Sequence, residues 1–369
     1  MTLAILGMGT AVPDAMLTQT DALTVARALC RPTAEQATWL PAMYRGTGVR
    51  ARQLALGVEV VRDVLDGTNR SGSPFVPRGV AGERGPTTGQ RMRHYAESAP
   101  PLAMRAARAA LERSRVGAAA LTHLITVSCT GFVAPGLDLA LIRGLGLAPT
   151  VQRTHVGYMG CHGALNGLRV ARAFAAAEPA AVVLLCAVEL CSLHYHYGWD
   201  PAKLIANAIF GDGAAALVGA AAGAVPQPGE WRVTAAGSCL VPASADAMTW
   251  TVGDHGFEMT LAKRVPGLIA AHLRPWLEGW LAGHGVALAE VGSWAVHPGG
   301  PRIVDAVEDA LALPPAATAA SRAVLADHGN MSSPTLLFIV DRLRAAGAPR
   351  PCVALGFGPG LMAEAVLFR

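Results

Sequence analysis

FGDGAAALVG, residues 210–219, is the stretch on which the fold turns. A glycine-rich turn, Gly211-Asp212-Gly213, runs straight into a short apolar strand, Ala214–Val218. The same arrangement returns near the end of the chain as GFGPGLMAEAVLF, residues 356–368, where the turn feeds Ala363–Leu367. Other short apolar runs read as buried strands: Leu3–Leu6, Leu121–Ser128, Ala181–Val188, Trp294–Val296 and Val353–Leu355. Between several of them, apolar residues recur at helical spacing in Leu102–Arg113, Gly163–Ala177, Pro266–Ala282, Arg302–Leu311 and Pro334–Ala345. Strands alternating with helices predict an α/β protein with largely buried sheets. The echo between the two turn-strand units suggests a duplicated α/β unit. Residues 1–223 form the first half and 224–369 the second, with the Ala/Gly/Pro run 220–229 as the joint. Asp66–His94, dense in Gly, Pro, Ser, Thr and Arg, predicts a long surface loop.

Composition agrees with a large buried core. Of 369 residues, 52% are hydrophobic and only 15% charged, which excludes a disordered chain. Mean hydropathy is +0.36, but the excess comes from Ala and Gly. The longest uncharged candidate span, Gly213–Gly229, holds four Gly and two Pro, so it reads as a strand entering a loop. A cationic leader region is missing from MTLAILGMGTAVP, so neither a signal peptide nor membrane insertion is expected, and the location is read as cytoplasmic. The net charge of +4 rests almost wholly on Arg. No dense basic run with interleaved aromatics argues for nucleic acid. An Arg-rich surface suits a phosphorylated small substrate, and equally an ordinary solvated surface. The seven cysteines have irregular spacing and no CxxC pair, so free thiols are expected.

Three segments carry polar residues at strand ends or helix starts. In GYMGCHGA (157–164), Cys161 follows a glycine-rich turn at the start of an amphipathic helix. The positive end of the helix dipole lowers a thiol pKa and favours the thiolate. In SWAVHPGGP (293–301), a short strand delivers His297 to a constrained turn, and Pro301 suits a first helical turn. In HGNMSSP (328–334), Asn330 precedes another helix. Singly, each has a bland reading: a small buried Cys, a satisfied structural His, a helix cap. Together, a thiol, an imidazole and an amide donor make a nucleophilic set with oxyanion-stabilising groups. His194 and His196 would share a strand face in LHYHYG, but no third metal ligand accompanies them, so a structural role is expected.

The ordered motifs resemble type III polyketide synthases, the chalcone/stilbene-synthase-like branch of the thiolase superfamily, bacterial type. The resemblance runs along nearly the whole chain through VSCTGFVAPGLDLALIRGLGL, GYMGCHGALNGLRVA, IFGDGAAALVG, RVPGLI, WAVHPGGPRI, HGNMSSPTLLFIV and GFGPGLMAEAVL. It implies a homodimer of five-layered αβαβα subunits. It makes Cys161 the acyl-carrying nucleophile and puts His297 and Asn330 on the other two catalytic positions. Phe210 falls on one gatekeeper position and Met259 on the second, a Phe in plant relatives. Cys129 and Thr130 fall in the starter pocket, and Gly356, Phe357, Gly358 and Pro359 in a cavity-shaping loop through Gly360. Ala134, beside Pro135, stands where plant enzymes carry a Met that reaches the partner's cavity. Arg45, Arg50 and Arg52 lie in the coenzyme A region, and the 66–94 loop is a further source of contacts. The implied chemistry needs no metal or redox cofactor. An acyl-CoA starter loads onto Cys161, malonyl-CoA decarboxylates, and the chain extends and cyclises, with alkylpyrone or alkylresorcinol products favoured by Met259, Cys129 and Ala134. Malonyl-primed tetrahydroxynaphthalene, aromatic starters, an acyl carrier protein as donor, and a ketoacyl synthase of the fatty-acid starter type are the alternatives.

Overall fold

The structure is a computed structural model that describes residues 2–223, 227 and 229–369. The expected boundary at 223/224 therefore falls at the edge of the described residues, with Ala224 outside them. The strands are β1 (Leu3–Ala11), β2 (Ala15–Thr18), β3 (Ala51–Leu54), β4 (His123–Ser128), β5 (Gln152–Gly157), β6 (Val182–Leu190) and β7 (Asp212–Ala221). They continue as β8 (Trp231–Leu240), β9 (Met248–Gly253), β10 (Gly256–Leu261), β11 (Ser293–Val296), β12 (Cys352–Gly358) and β13 (Met362–Phe368).

Nine of these strands are hydrogen-bonded in the order β11-β12-β13-β8-β1-β7-β6-β4-β5. The run splits at β1 and β8, which share only Leu3–Ile5 against Trp231–Val233. On one side β1 is antiparallel to β7, β7 antiparallel to β6, and β6 parallel to β4. On the other side β8, β13, β12 and β11 repeat the same senses in the same order. The echo between the two glycine-rich turns is thus a repeat of strand topology, with β5 added at the edge of the first half.

Two helices lie between the two halves of the sheet. Gly163–Ala177 packs on β4, β6 and β7 with one face and on β8 and β13 with the other. Ser333–Ala345 packs on β6 and β7, and on β11 and β12. Both bury nearly every residue of their first two turns, and small residues make that possible. A Cβ on Gly167 would stand 2.7 Å from Leu185 Cδ1, so only glycine lets the helix lie this close to β6. The Thr88–Ser114 helix covers the outer face of β1, β7 and β6. Val265–Ala282 and Pro301–Leu311 cover β11–β13 from the opposite side. The result is the five-layered αβαβα stack of the thiolase-like class.

Every predicted strand and helix is present, but several elements were not foreseen. The outer helix starts at Thr88, inside the predicted 66–94 loop, and runs through Pro100 and Pro101. Its start is fixed by Thr87, whose side chain accepts from Gln90 N–H while Gln90 Oε1 accepts from Thr87 N–H. The β9–β10 hairpin is also new, and it carries Met259.

Candidate active site

Both central helices start at the seam between the halves, and so does the site. Cys161 sits in the turn ahead of Gly163–Ala177. Gly160 enters that turn at φ +80°, and a Cβ there would meet Pro359 Cδ at 2.4 Å. Asn330 is held by its backbone, its N–H donating to Ile209 O at 2.8 Å and its carbonyl accepting from Gly211 N–H at 3.0 Å. Asn330 Oδ1 accepts the Ser332 N–H at 2.7 Å, which leaves the amide N–H groups for other partners. Asn330 and Ser332 lie close enough to Cys161 to draw its thiol pKa down, and Ser332 Oγ itself meets Cys129 Sγ at 3.3 Å. The structure thus joins Cys161 and Asn330, which lie far apart in sequence.

His297 ends β11, with its N–H on Leu355 O at 2.8 Å. The ring is 2% exposed, and neither nitrogen has a hydrogen-bond partner among the described residues. Burial, with His162 nearby, pushes its pKa down to about 3. Burial likewise pushes the Cys161 thiol up to about 11. Ser332, Asn330 and the backbone pull it down, and Glu189 pushes it further up. The helix-start argument expects a lowered thiol; in this dry setting desolvation outweighs it.

A largely apolar pocket opens from Cys161, with about 930 Å³ of free space counting its mouth. Cys129, Thr130, Phe210, Met259 and Pro359 line it, as the resemblance implies. Ala134 is exposed on the surface beside Phe132 and Val133, outside this chain's own pocket lining. Three expected residues are placed otherwise. Gly356, Phe357 and Gly358 belong to strand β12, not to a loop, and are buried away from the pocket lining. Gly356 and Gly358 instead lie against His162, where a Cβ on Gly358 would be 2.3 Å from the ring.

The Arg set also needs correction. Arg52 is fully buried and donates to the carbonyls of Asn207, Ala208 and Phe210 at 2.8, 2.7 and 3.1 Å. It closes the end of the Pro201–Ile209 helix and cannot reach a ligand outside. Arg45 and Arg50 are exposed, with Arg50 paired to Asp327. At the pocket itself the cations are Arg84, from the loop before Thr88, and Lys203, which pairs with Glu258 at 2.6 Å.

Three features escaped the sequence reading. Glu189 is fully buried and accepts from Cys129 N–H at 2.9 Å, Thr130 N–H at 3.0 Å, Thr130 Oγ1 at 2.6 Å and Ser333 Oγ at 2.5 Å. It ties the Cys129 turn to the start of the second central helix. Its only sequence signal is one carboxylate in an otherwise apolar strand. His194 stacks on Phe257 at 4.2 Å and meets Trp250 edge-on, so a small aromatic cluster forms the pocket wall. Its ring is structural, as expected for the HxH pair: Nε2 donates to Thr130 O at 2.7 Å and Nδ1 accepts from Phe257 N–H at 2.9 Å. Finally, Tyr195 and Tyr197 stand at the back of the pocket. Among the described residues no cluster of three or more His, Cys, Asp or Glu is placed to hold a metal, and no helix is long and apolar enough to cross a membrane.

This fold and site define a thiolase-like condensing enzyme. The family description "Chalcone and stilbene synthases, N-terminal domain" matches residues 2–223, and its C-terminal counterpart matches 232–369. The chain belongs to the chalcone and stilbene synthase family and is a type III polyketide synthase, an acyltransferase. The ketoacyl-synthase alternative falls away. It is 32% identical over 369 residues to the "Alpha-pyrone synthesis polyketide synthase-like Pks18" of Mycobacterium tuberculosis, covering 98% of this chain and 90% of that one. It is also 32% identical over 364 residues to the 1,3,6,8-tetrahydroxynaphthalene synthase of Streptomyces peucetius subsp. caesius, covering 98% and 91%. Among solved structures it resembles PKS-I from the brown alga Ectocarpus siliculosus, with a TM-score of 0.86, 30% identity and coverage of 100% and 98%.

Proposed function

We propose that this enzyme loads an acyl group from an acyl-CoA onto Cys161 and extends it with malonyl-CoA. Sγ adds to the starter carbonyl, and coenzyme A leaves as its thiol with the proton that Sγ gives up. Malonyl-CoA then loses CO2, and the electron pair of the broken C–C bond becomes an enolate. Asn330 and His297 donate to the enolate oxygen. The enolate carbon attacks the Cys161 thioester, and Sγ leaves. Loss of CO2 drives the condensation, so the reaction calls for no metal or redox partner. The observation that carries this reading is Cys161 in the lining of an apolar pocket, with Ser332 in the same lining and Asn330 close enough to act on the thiol.

Arg84 and Lys203, at the pocket, are better placed than Arg52 to meet the coenzyme A phosphates, with Arg45 and Arg50 as the remaining surface candidates. The apolar lining favours an aliphatic starter and an alkylpyrone or alkylresorcinol product, in keeping with the relative named for α-pyrone synthesis. A malonyl-primed tetrahydroxynaphthalene product is the second reading, supported by the relative of that name and by the aromatic bulk of His194, Trp250 and Phe257. The working unit is a homodimer in the cytoplasm, each subunit built from halves 1–223 and 224–369. Exposed Phe132, Val133, Tyr158 and Met159 form an apolar surface near the site that a second copy would cover. An acyl carrier protein is an alternative starter donor.

The test is release of labelled CO2 and free coenzyme A from malonyl-CoA plus a panel of acyl-CoAs. Cys161→Ala should abolish acyl transfer and product formation. A Cys161→Ala protein that still forms product at the wild-type rate refutes the mechanism.

A further inference from the structure

The pocket at Cys161 has a second chamber behind it. That chamber, with about 390 Å³ of free space counting its mouth, is lined by Val25, Leu29, Leu54, Val61 and Phe75, with the buried Arg91 as its one cation. Tyr195 and Tyr197 line both spaces, so their rings are the wall between them. Each ring is buried and pinned at its hydroxyl. Tyr195 donates to Phe210 O at 2.7 Å and Tyr197 to Phe75 O at 2.6 Å. Tyr197 is also fixed on its sides. Arg91 lies 5.8 Å from its ring centre, and a Cβ on Gly85 would fall 2.5 Å from its Cδ2. Phe75 and Gly85 come from the 67–87 loop, so that loop clamps the wall.

Resting on the polyketide synthase reading above, we infer that Tyr195 and Tyr197 set the greatest length of acyl starter the enzyme accepts, by closing an apolar chamber that otherwise continues the pocket. The occupant that fits the chamber is the far end of an alkyl chain, because its lining is aliphatic and aromatic with few polar groups. Tyr195 acts on both sides of the site. Its hydroxyl holds the carbonyl of Phe210, a pocket-lining residue, while its ring blocks the far end. A tail inside the pocket gains about fourfold in kcat/KM for each methylene it buries. Selectivity should rise by that factor along a series of acyl-CoAs and break where the tail meets the two rings.

The experiment measures kcat/KM for straight-chain acyl-CoAs from butyryl to hexadecanoyl, with malonyl-CoA, in wild type, Tyr195→Ala and Tyr195→Phe. Tyr195→Ala should move the break to longer chains. Tyr195→Phe, which loses the hydroxyl and keeps the ring, should leave it in place. Adding Val61→Phe to Tyr195→Ala refills the chamber and should return the break to its wild-type position. Cooperative urea unfolding of each variant shows that it is folded. If Tyr195→Ala does not fold, Tyr197→Ala replaces it in the series. The inference is overturned if folded alanine variants keep the wild-type break, or if the shift survives Val61→Phe. Wild-type protein that releases no CO2 with any acyl-CoA would instead refute the proposed function itself, a separate outcome.

Discussion

His194 gives the sharpest link between this geometry and a number. Its Nδ1 accepts a backbone N–H from Phe257 and its Nε2 donates to a backbone carbonyl, Thr130 O. A protonated ring would aim an N–H at an N–H, so the folded protein holds the neutral form. Burial is the largest cause. The Thr130 hydrogen bond opposes it, Arg91 adds to it, and the pKa falls to about 3. In the unfolded chain the ring titrates near 6.5. Between those values the unfolded chain binds a proton that the folded one refuses. Stability therefore rises with pH over this window, is complete above it, and is lost as pH falls below 6.5. From pH 7 to pH 5 this one ring costs about 2 kcal/mol of folding free energy. The perturbation is His194→Gln, whose amide offers both a donor and an acceptor but does not titrate. Urea unfolding at pH 7 and pH 5 would measure the loss for each protein. The other buried histidines contribute equally to both and cancel in the difference. The variant should lose about 2 kcal/mol less than wild type. Equal losses would mean that the ring is charged in the folded protein at pH 5, and that its acceptor bond to Phe257 does not hold.

Two further substitutions test the scaffold under Cys161. Gly358→Ala would put a Cβ 2.3 Å from His162 Cδ2, while Asn166 holds the other side of that ring at 2.8 Å. Unfolding should show a loss of about 1–3 kcal/mol, and kcat should fall because His162 adjoins Cys161; unchanged stability and kcat would contradict the packing. Glu189→Ala strips the acceptor from two backbone N–H groups and three hydroxyls and should cost about 3 kcal/mol or more, with Glu189→Gln intermediate. Denaturation of all three proteins measures this, and a neutral alanine variant would rule out Glu189 as the tie between the Cys129 turn and the second central helix.

Much of the fold is readable because its core obeys local rules. The apolar runs that form β6, β7, β12 and β13 are buried on both faces, so they carry no polar alternation to confuse them. The Gly163–Ala177 helix is legible to the residue because its apolar stripe is continuous. Where burial is one-sided or tertiary, the signal fails. β5 exposes most of its length and looks like a loop. The outer helix hides behind a polar first turn and two prolines. Arg52 shows the limit at the site. Sequence gives its charge, and charge suggests phosphate, but the carbonyls at the end of the Pro201–Ile209 helix had already claimed the guanidinium. Met259 suggests room for a tail, yet the space behind is set by Tyr195 and Tyr197, whose role emerges only when distant segments meet around them.

The same dryness explains the electrostatics of the proposed catalytic set. Cys161 and His297 are both driven towards their neutral forms by burial. Either charge alone is costly where burial strips away water. Moving a proton from thiol to imidazole creates both charges at once and leaves the net charge unchanged, so the attraction between them offsets part of two desolvation penalties. Asn330 and Ser332, which draw the thiol pKa down, and the helix start beneath it favour the thiolate side of that exchange. On the proposed mechanism, removing His297 would do more than delete a donor. It would take away the group that lets the sulfur ionise without leaving an unpaired charge in the apolar interior. Because Cys161 comes from one half of the fold and His297 and Asn330 from the other, that exchange depends on the seam between the halves being closed.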